Sequence, residues 1–493
     1  MRYLFFSIFL LVTCLAPAQI LDWGNAQKIG SRNYFCKYIG YNNDGYYYLR
    51  SKRPDFKSDI TIEKYGLNLN LLWSKNVGND RSERAILEVV LLQNKLLVFL
   101  KEDDYASGFT DVKSISVSFD GAVELAATTL FQTKLSAFFN EDGSDRYTIK
   151  TNEEKSEFMF GYVLQSEKNI PTLNYNVFAE NGSYKASGGY AYTIKVDQFY
   201  INDLVLNNNF IYVLISYNEP KKTDINTYYH DVLSINSSTQ ATVKTPVVLE
   251  GKIQSDLGIY LDTANQSLQL TGFYSEKKST SAAGIAVYTM PLSDPSKYNV
   301  AFTAFPKALL AKIIGERASE RTKEVEDFVV NRIVPRSDGG ILLIAECFYI
   351  EKQPYNNYTS GIQGAAPQPT IIRSVYNYDE VLVISIEPDS KIDWWQVITK
   401  NQNSVNDEGY NLSIATMVKK EIIYVFFNVG YRNNNDIMEY SISSNGKMKN
   451  RVLFKSTSYY IDFTPRQSAQ IASGSVLMPL VKDRKFNLLK ITY

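Results

Sequence analysis

An apolar segment set between a tight turn and a later polar hairpin recurs roughly eight times, about every 50 to 80 residues, and self-similarity of this kind constrains the fold before any motif does. The apolar members begin at Tyr46 (YYYLRSK), Lys95 (KLLVFLKED), Phe158 (FMFGYVLQ), Phe210 (FIYVLISYN), Leu268 (LQLTGFYSE), Ile341 (ILLIAECFY), Ile422 (IIYVFFNVG) and Val476 (VLMPLVKD). Near-continuous apolarity in so short a run means a strand covered on both faces. The turns before them, such as Asn42-Asn43-Asp44-Gly45 and Asp338-Gly339-Gly340, carry residues that tolerate positive φ. Hairpins with Asp120-Gly121, Asn181-Gly182 and Asn445-Gly446 at their tips supply two further strands per unit. The pattern predicts an all-β chain, a β-propeller of about eight four-stranded blades. Seven is the alternative if the weak unit at 146–193 is misread, and paired β-sandwiches are the competing architecture.

The two ends explain each other. The last unit stops one strand short, after 486–492. Near the other end, Ile20-Leu21-Asp22-Trp23-Gly24 resembles the fourth-strand segments Leu71-Leu72-Trp73-Ser74 and Ile392-Asp393-Trp394-Trp395. The N-terminal segment is therefore expected to complete the last blade and close the ring, which removes exposed sheet edges. Ahead of it, a basic start, an apolar run at 4–15 and Ala16-Pro17-Ala18 read as a cleaved signal peptide, 1–18. That run is too short to span a bilayer. Cys14 suggests a lipoprotein signal, but Thr13 is a poor residue before a lipidated cysteine. Residues 19–493 are expected to form one propeller domain in an exported protein.

Chemistry is sparse. Lys plus Arg and Asp plus Glu both number 52, so no basic field exists to hold nucleic acid. Cys36 and Cys347 remain after cleavage and read as buried free thiols. His230, the one histidine, lies in a strand-like stretch without a serine signature and reads as structural. No P-loop or dinucleotide glycine motif occurs, and no metal spacing of Cys and His. Glu346, inside ILLIAECFY, needs a partner among Arg, Tyr or backbone. The acidic runs 140–145 and 102–104 contain calcium-type ligands but read as solvated turns. Trp73, Trp394 and Trp395 resemble sugar-stacking residues in type only, and their repeated place argues for packing. The expectation is a chain that is not an enzyme, with no catalytic, cofactor or metal residues.

Elaboration falls on one side of the blades. Residues 306–325 (PKALLAKIIGERASERTKEV) read as an inserted helix with Pro306 near its start. Leu309, Leu310 and Ile313 group on one face, and Arg317 and Arg321 stand in pairs with Glu316 and Glu320. Residues 351–379 read as a long loop holding Tyr355, Tyr358, Tyr376 and Tyr378, and tyrosine is favoured in interfaces. Loops at 103–111 and 218–229 join the same side. These residues are the candidate contacts for a protein partner, against the alternative of a helix packed on the rim beside an unstructured loop.

The signal peptide, the strand Asp338-Gly339-Gly340-Ile341-Leu342-Leu343-Ile344-Ala345-Glu346 and the Trp-bearing outer strands together resemble envelope β-propellers of Gram-negative bacteria that use type 9 secretion. The resemblance spans nearly all of the mature chain and rests on blade packing. Secreted cargo of that system ends in a sorting domain, for which this propeller leaves no room. The resemblance thus implies a periplasmic protein, with secreted or cell-surface placement as the alternative. It implies docking on an outer-membrane protein complex, and plugging of the periplasmic side of a protein translocon. The rival expectation is a carbohydrate-active or other hydrolytic propeller, or a glycan- or small-ligand-binding one.

Overall fold

Each of the eight apolar segments forms the second strand of an antiparallel sheet. The computed structural model describes residues 19–493 except 29–34, 55, 57–59, 79–83, 125, 136–145, 167, 208, 219–227, 279, 356–370, 431–435, 456–460 and 483–484. The expected signal peptide and the acidic run at 140–145 therefore lie outside the described residues. In chain order the sheets occupy 35–76, 84–134, 147–191, 198–246, 253–304, 328–398, 415–454 and 461–492. Seven of them contain a four-stranded antiparallel meander, and the eighth gains its outer strand from the N-terminus. The unit at 147–191 is as regular as its neighbours.

The chain divides into two compact units. One holds 75–408 with 55–60, and contains the second to sixth sheets. Their first strands, Arg84–Leu91, Tyr147–Thr151, Gln198–Asn207, Ile253–Asp262 and Phe328–Pro335, lie side by side in chain order. Apolar cores are shared between consecutive sheets. Phe99 of the second sheet packs edge-on to Phe158 of the third at 5.1 Å, and Tyr212 and Leu214 of the fourth join Leu268 and Tyr288 of the fifth. Covering both faces in this way is why the second strands carry almost no polar residue. The arrangement is that of propeller blades.

Four of these five first strands carry a β-bulge at the same place, after Ile86, Ile201, Gln254 and Val330. A bulge takes residues out of the ladder and frees backbone donors. Acidic side chains take them up. Glu88 Oε1 accepts from Val89 N at 3.0 Å, and Asp203 Oδ1 from Leu204 N at 2.8 Å. Asp256 reaches Val330 N of the next sheet at 2.5 Å, and burial pushes its carboxyl above the usual range. The carboxylates along these strands thus have a structural task.

The other unit holds residues up to 54, 61–74 and 409–493, and contains the first, seventh and eighth sheets. Within it Ile20–Trp23 pairs antiparallel with Lys485–Thr492, Trp23 opposite Leu489. The segment reaches all three sheets. The Trp23 ring meets Phe454 edge-on at 5.5 Å, Asp22 pairs with Lys490 at 3.0 Å, and Asn25 N donates to Asn70 Oδ1 at 3.2 Å. Gly24 is required here, because a Cβ would collide with the Leu69 carbonyl.

The insertions differ from expectation. The helix at 306–325 is two short pieces, Lys307–Ile314 and Glu316–Ser319, broken at Gly315 (φ 84°). Leu309 and Leu310 are buried in the core of the sixth sheet with Phe305 and Phe328, and Ile313 packs against the same core. The stretch 351–379 is no loop at its ends. The strands Ile341–Tyr355 and Ile371–Ile386 form a long hairpin that runs past the sheet. Ile350, Lys352 and Pro354 pair with Tyr376, Ser374 and Ile372, and a short strand, Gln402–Val405, flanks Val375–Tyr378, so the hairpin passes its last neighbour beyond Val375.

Candidate functional site

The candidate partner residues separate. Leu309 and Leu310 are core residues, so the correction is that they cannot present a surface; Arg317 and Arg321 are exposed. Tyr378 is also buried, its ring 4.6 Å from Phe348 and under Lys400. Tyr376 is half-buried on the hairpin, Tyr355 lies in its first strand, and Tyr358 falls outside the described residues. Ile350, Tyr376 and Ile372 share one face of the hairpin by register, and Ile372 is 67% exposed.

Where this hairpin leaves the sheet, Glu346 is buried and paired with Lys400 at 2.8 Å. The partner is a lysine rather than the Arg, Tyr or backbone expected. Next to it a bulge sets Cys347 opposite Asp379 and Glu380. The three ligand atoms lie within 4.8 Å of one another, a thiol–carboxylate set of the kind that holds borderline cations. Burial pushes the Cys347 thiol up to about 12, with Asp379 and Glu380 adding to it. Residues 32 positions apart meet only through hairpin pairing, so no sequence spacing reveals them. Both described cysteines are free, and Cys36 is likewise raised to about 12 by burial. In the run 102–104, Glu102 is taken by Lys113, Asp103 by Lys101 and Thr110, and Asp104 caps the turn at Ala106. Those acids are spent on turn structure.

His230 is buried, with Nδ1 2.7 Å from Ser216 Oγ. Both side chains sit inside the fourth sheet, so the pair has no approach for a substrate carbonyl and serves the sheet. Burial lowers the imidazole from 6.5 to about 4. Between those values the unfolded chain binds a proton that the folded chain refuses, so stability falls as pH drops through this window and levels below it. The full effect is about 3 kcal/mol. Urea midpoints measured from pH 7.5 to 4 should show this slope, and His230→Gln should remove that part of it.

The clefts lie at the opposite end, among the tight turns. A cleft of about 810 Å³ opens between the fourth and fifth sheets, lined by Asn207, Phe210, Tyr212, Ser234, Asn236 and Gln266 among others. A second, about 410 Å³, opens between the fifth and sixth sheets, lined by Asp262, Gln266, Asp338 and Glu387 among others. Gln266 lines both, so the two clefts adjoin at that turn as a groove with a shared wall. Of the carboxylates, Asp338 is held by Arg336 at 2.5 Å, which keeps it below the usual range. Asp262 accepts from Asn265 at its own turn, and Glu387 is exposed on the rim. A third cleft, about 550 Å³, lies beside the short helices at the other end, with Glu276, Lys307, Glu320 and Lys323 around Tyr274. The sequence contained a signal for the groove. Its residues are the Asn-, Asp- and Gly-rich turn residues, which hairpin geometry already explains and so conceals.

No protein-family model and no curated protein matches the chain. Similar solved structures include the WD40 domain of SCAP from fission yeast, at 8% identity over 96% of this chain and 98% of that one, TM-score 0.42. An oligogalacturonate lyase in complex with manganese is 9% identical over 96% of this chain and 97% of that one, TM-score 0.34. A post-proline cleaving enzyme from Rickettsia typhi is 11% identical over 92% of this chain and 58% of that one, TM-score 0.37. Enzymes predominate among these similar structures, which overturns the expectation that the chain is not an enzyme. Likenesses this distant assign no activity.

Proposed function

We propose that the chain is an exported β-propeller, a single ring of eight blades closed by its N-terminal strand, that binds or hydrolyses a glycan or other small ligand in the groove among its turns. One observation carries the reading: two clefts meet at Gln266, the larger rich in amides and aromatics, the smaller in carboxylates. Pockets of this size with a few convergent polar groups are the ordinary form of a ligand site. Glycoside hydrolysis needs two carboxyl groups, and Glu387 with Asp262 are the pair not committed to an arginine. A thermal-shift screen of glycans and small metabolites tests this. The expected result is a ligand that raises the melting temperature in the native chain. For a hydrolysed ligand, Glu387→Gln should lower turnover by about 100-fold or more. A screen in which no ligand acts through the residues of either cleft overturns the reading.

The projecting hairpin favours a second role, which is compatible with the first. Its outer face presents Ile350, Tyr376 and Ile372, with Ile350 45% and Ile372 67% exposed. Single exposed side chains are ordinary, but here the end of the strand pair that carries Ile372 extends beyond its last flanking strand, Gln402–Val405, which suits a docking device. In this reading the protein is periplasmic and docks on an outer-membrane protein complex, plugging the periplasmic side of a translocon. Affinity purification from native membranes should recover the complex, and Ile372→Arg should release it. Recovery of free monomer alone under gentle extraction overturns the docking role.

A further inference from the structure

We propose that the larger cleft is a subsite for a neutral pyranose sugar, with Phe210 as its stacking platform. This rests on reading the groove as a ligand site, and names the ligand. Phe210 is 40% exposed and lies nearly parallel to Tyr212, ring planes 14° apart and centroids 6.2 Å apart. Tyr212, two residues along the same strand, is buried beside it, so the pair forms an aromatic strip in the wall of the cleft with only Phe210 open to a ligand. The face of such a ring is electron-rich and attracts polarised C–H groups, which a pyranose presents along one side.

The polar groups around the strip match hydroxyls. Asn236 spends Oδ1 on the backbone N–H groups of Ser238 and Thr239, which leaves its amide donors uncommitted among the described residues. Gln266 is the reverse, with Nε2 given to Thr263 O at 2.7 Å and Oε1 left as an acceptor. Asn207 adds both kinds of group at the rim. Ser234 lines the cleft with only 7% of its surface exposed, and its Oγ has no hydrogen-bond partner among the described residues. That Oγ is itself sealed from solvent, so Ser234 shapes the wall of the cleft, and the contacts to ligand hydroxyls fall to Asn207, Asn236 and Gln266.

The charge pattern excludes acidic ligands. Among the described residues no Lys or Arg lines this cleft, and its one carboxylate, Asp294, is tied to Lys297 at 3.0 Å and to Ser296 Oγ at 2.6 Å. A phosphate or uronate would lose its hydration without a cation to replace it. An uncharged sugar meets no such cost.

Calorimetric titration of the full chain with neutral gluco-, manno- and galacto-oligosaccharides, and with an oligogalacturonate of equal length, tests the proposal. One neutral series should bind saturably, with the acidic one about tenfold weaker or worse. Phe210→Ala and, separately, Asn207→Ala should each weaken binding about tenfold with the melting temperature nearly kept. Tyr105→Ala, on an exposed turn, should leave binding unchanged. The proposal is overturned if no neutral series binds, if the acidic analogue binds equally, or if binding survives both cleft variants. Should a different small ligand then act through Phe210, the sugar class fails while the groove reading stands. If nothing binds the groove, both fail.

Discussion

Glu346→Ala should cost about 3 to 5 kcal/mol of folding stability, the largest effect expected of any single substitution in the sixth sheet. The side chains of Glu346 and Lys400 are 2% and 1% exposed, so neither charge has water to fall back on. Lys400 Nζ is satisfied on three sides: it meets Glu346 at 2.8 Å, and donates to Tyr378 O at 2.7 Å and Gln402 Oε1 at 3.0 Å. Burial pulls its pKa down and Glu346 works against that shift. Removing the carboxylate leaves a buried ammonium with two neutral acceptors. The double variant Glu346→Leu, Lys400→Met should recover most of the loss, because replacing both members removes the desolvation cost along with the attraction. Denaturant midpoints of the single and the double variant separate these outcomes. A single variant within 1 kcal/mol of the parent, on the scale of an exposed pair, would show that water reaches the pair.

Deleting residues 19–28 should destabilise the unit containing the first, seventh and eighth sheets by about 4 kcal/mol or more and promote aggregation. The loss has several parts. The ladder from Ile20 to Trp23 disappears, along with the Gly24 N–H bond to Leu488 O at 2.9 Å. The Trp23–Phe454 contact goes, as do the bonds of Gln19 to Arg451 and Asn25 to Asn70. Lys485–Thr492 becomes an edge strand carrying Leu488, Leu489 and Ile491, a template for pairing with another chain. Adding the peptide 19–28 back in trans should restore monodispersity in light scattering. A truncated chain that stays monomeric and melts like the parent would show that this strand is dispensable.

The strand families were legible because their cause is local. A strand covered on both faces must be apolar throughout, and a tight turn must carry residues that accept positive φ, so each unit announces itself in a few residues. The end-to-end pairing was legible for the same reason, since Ile20–Trp23 looks like the outer strand it becomes. The inserted helix was half legible. Its apolar spacing was real, yet Leu309 and Leu310 point into the core because an apolar stripe marks a buried face without saying what buries it. The stretches 351–355 and 371–379 read as loop because the Asn, Gly, Pro and Gln around them weaken a local strand signal that pairing across the hairpin restores.

Sequence alone determined the repeating unit, the type of its strands and the outer-strand character of Ile20–Trp23, since each shows in side chains a few positions apart. Tertiary structure alone decided which lone groups meet: Glu346 with Lys400, Cys347 with Asp379, Ser216 with His230, and Gln266 shared by two clefts. Those encounters join positions 14 to more than 50 residues apart, and they depend on register and on how one sheet lies against the next. A period in the chain cannot encode that, because the repeat fixes what each blade is while the gaps between blades are set by how dissimilar copies pack.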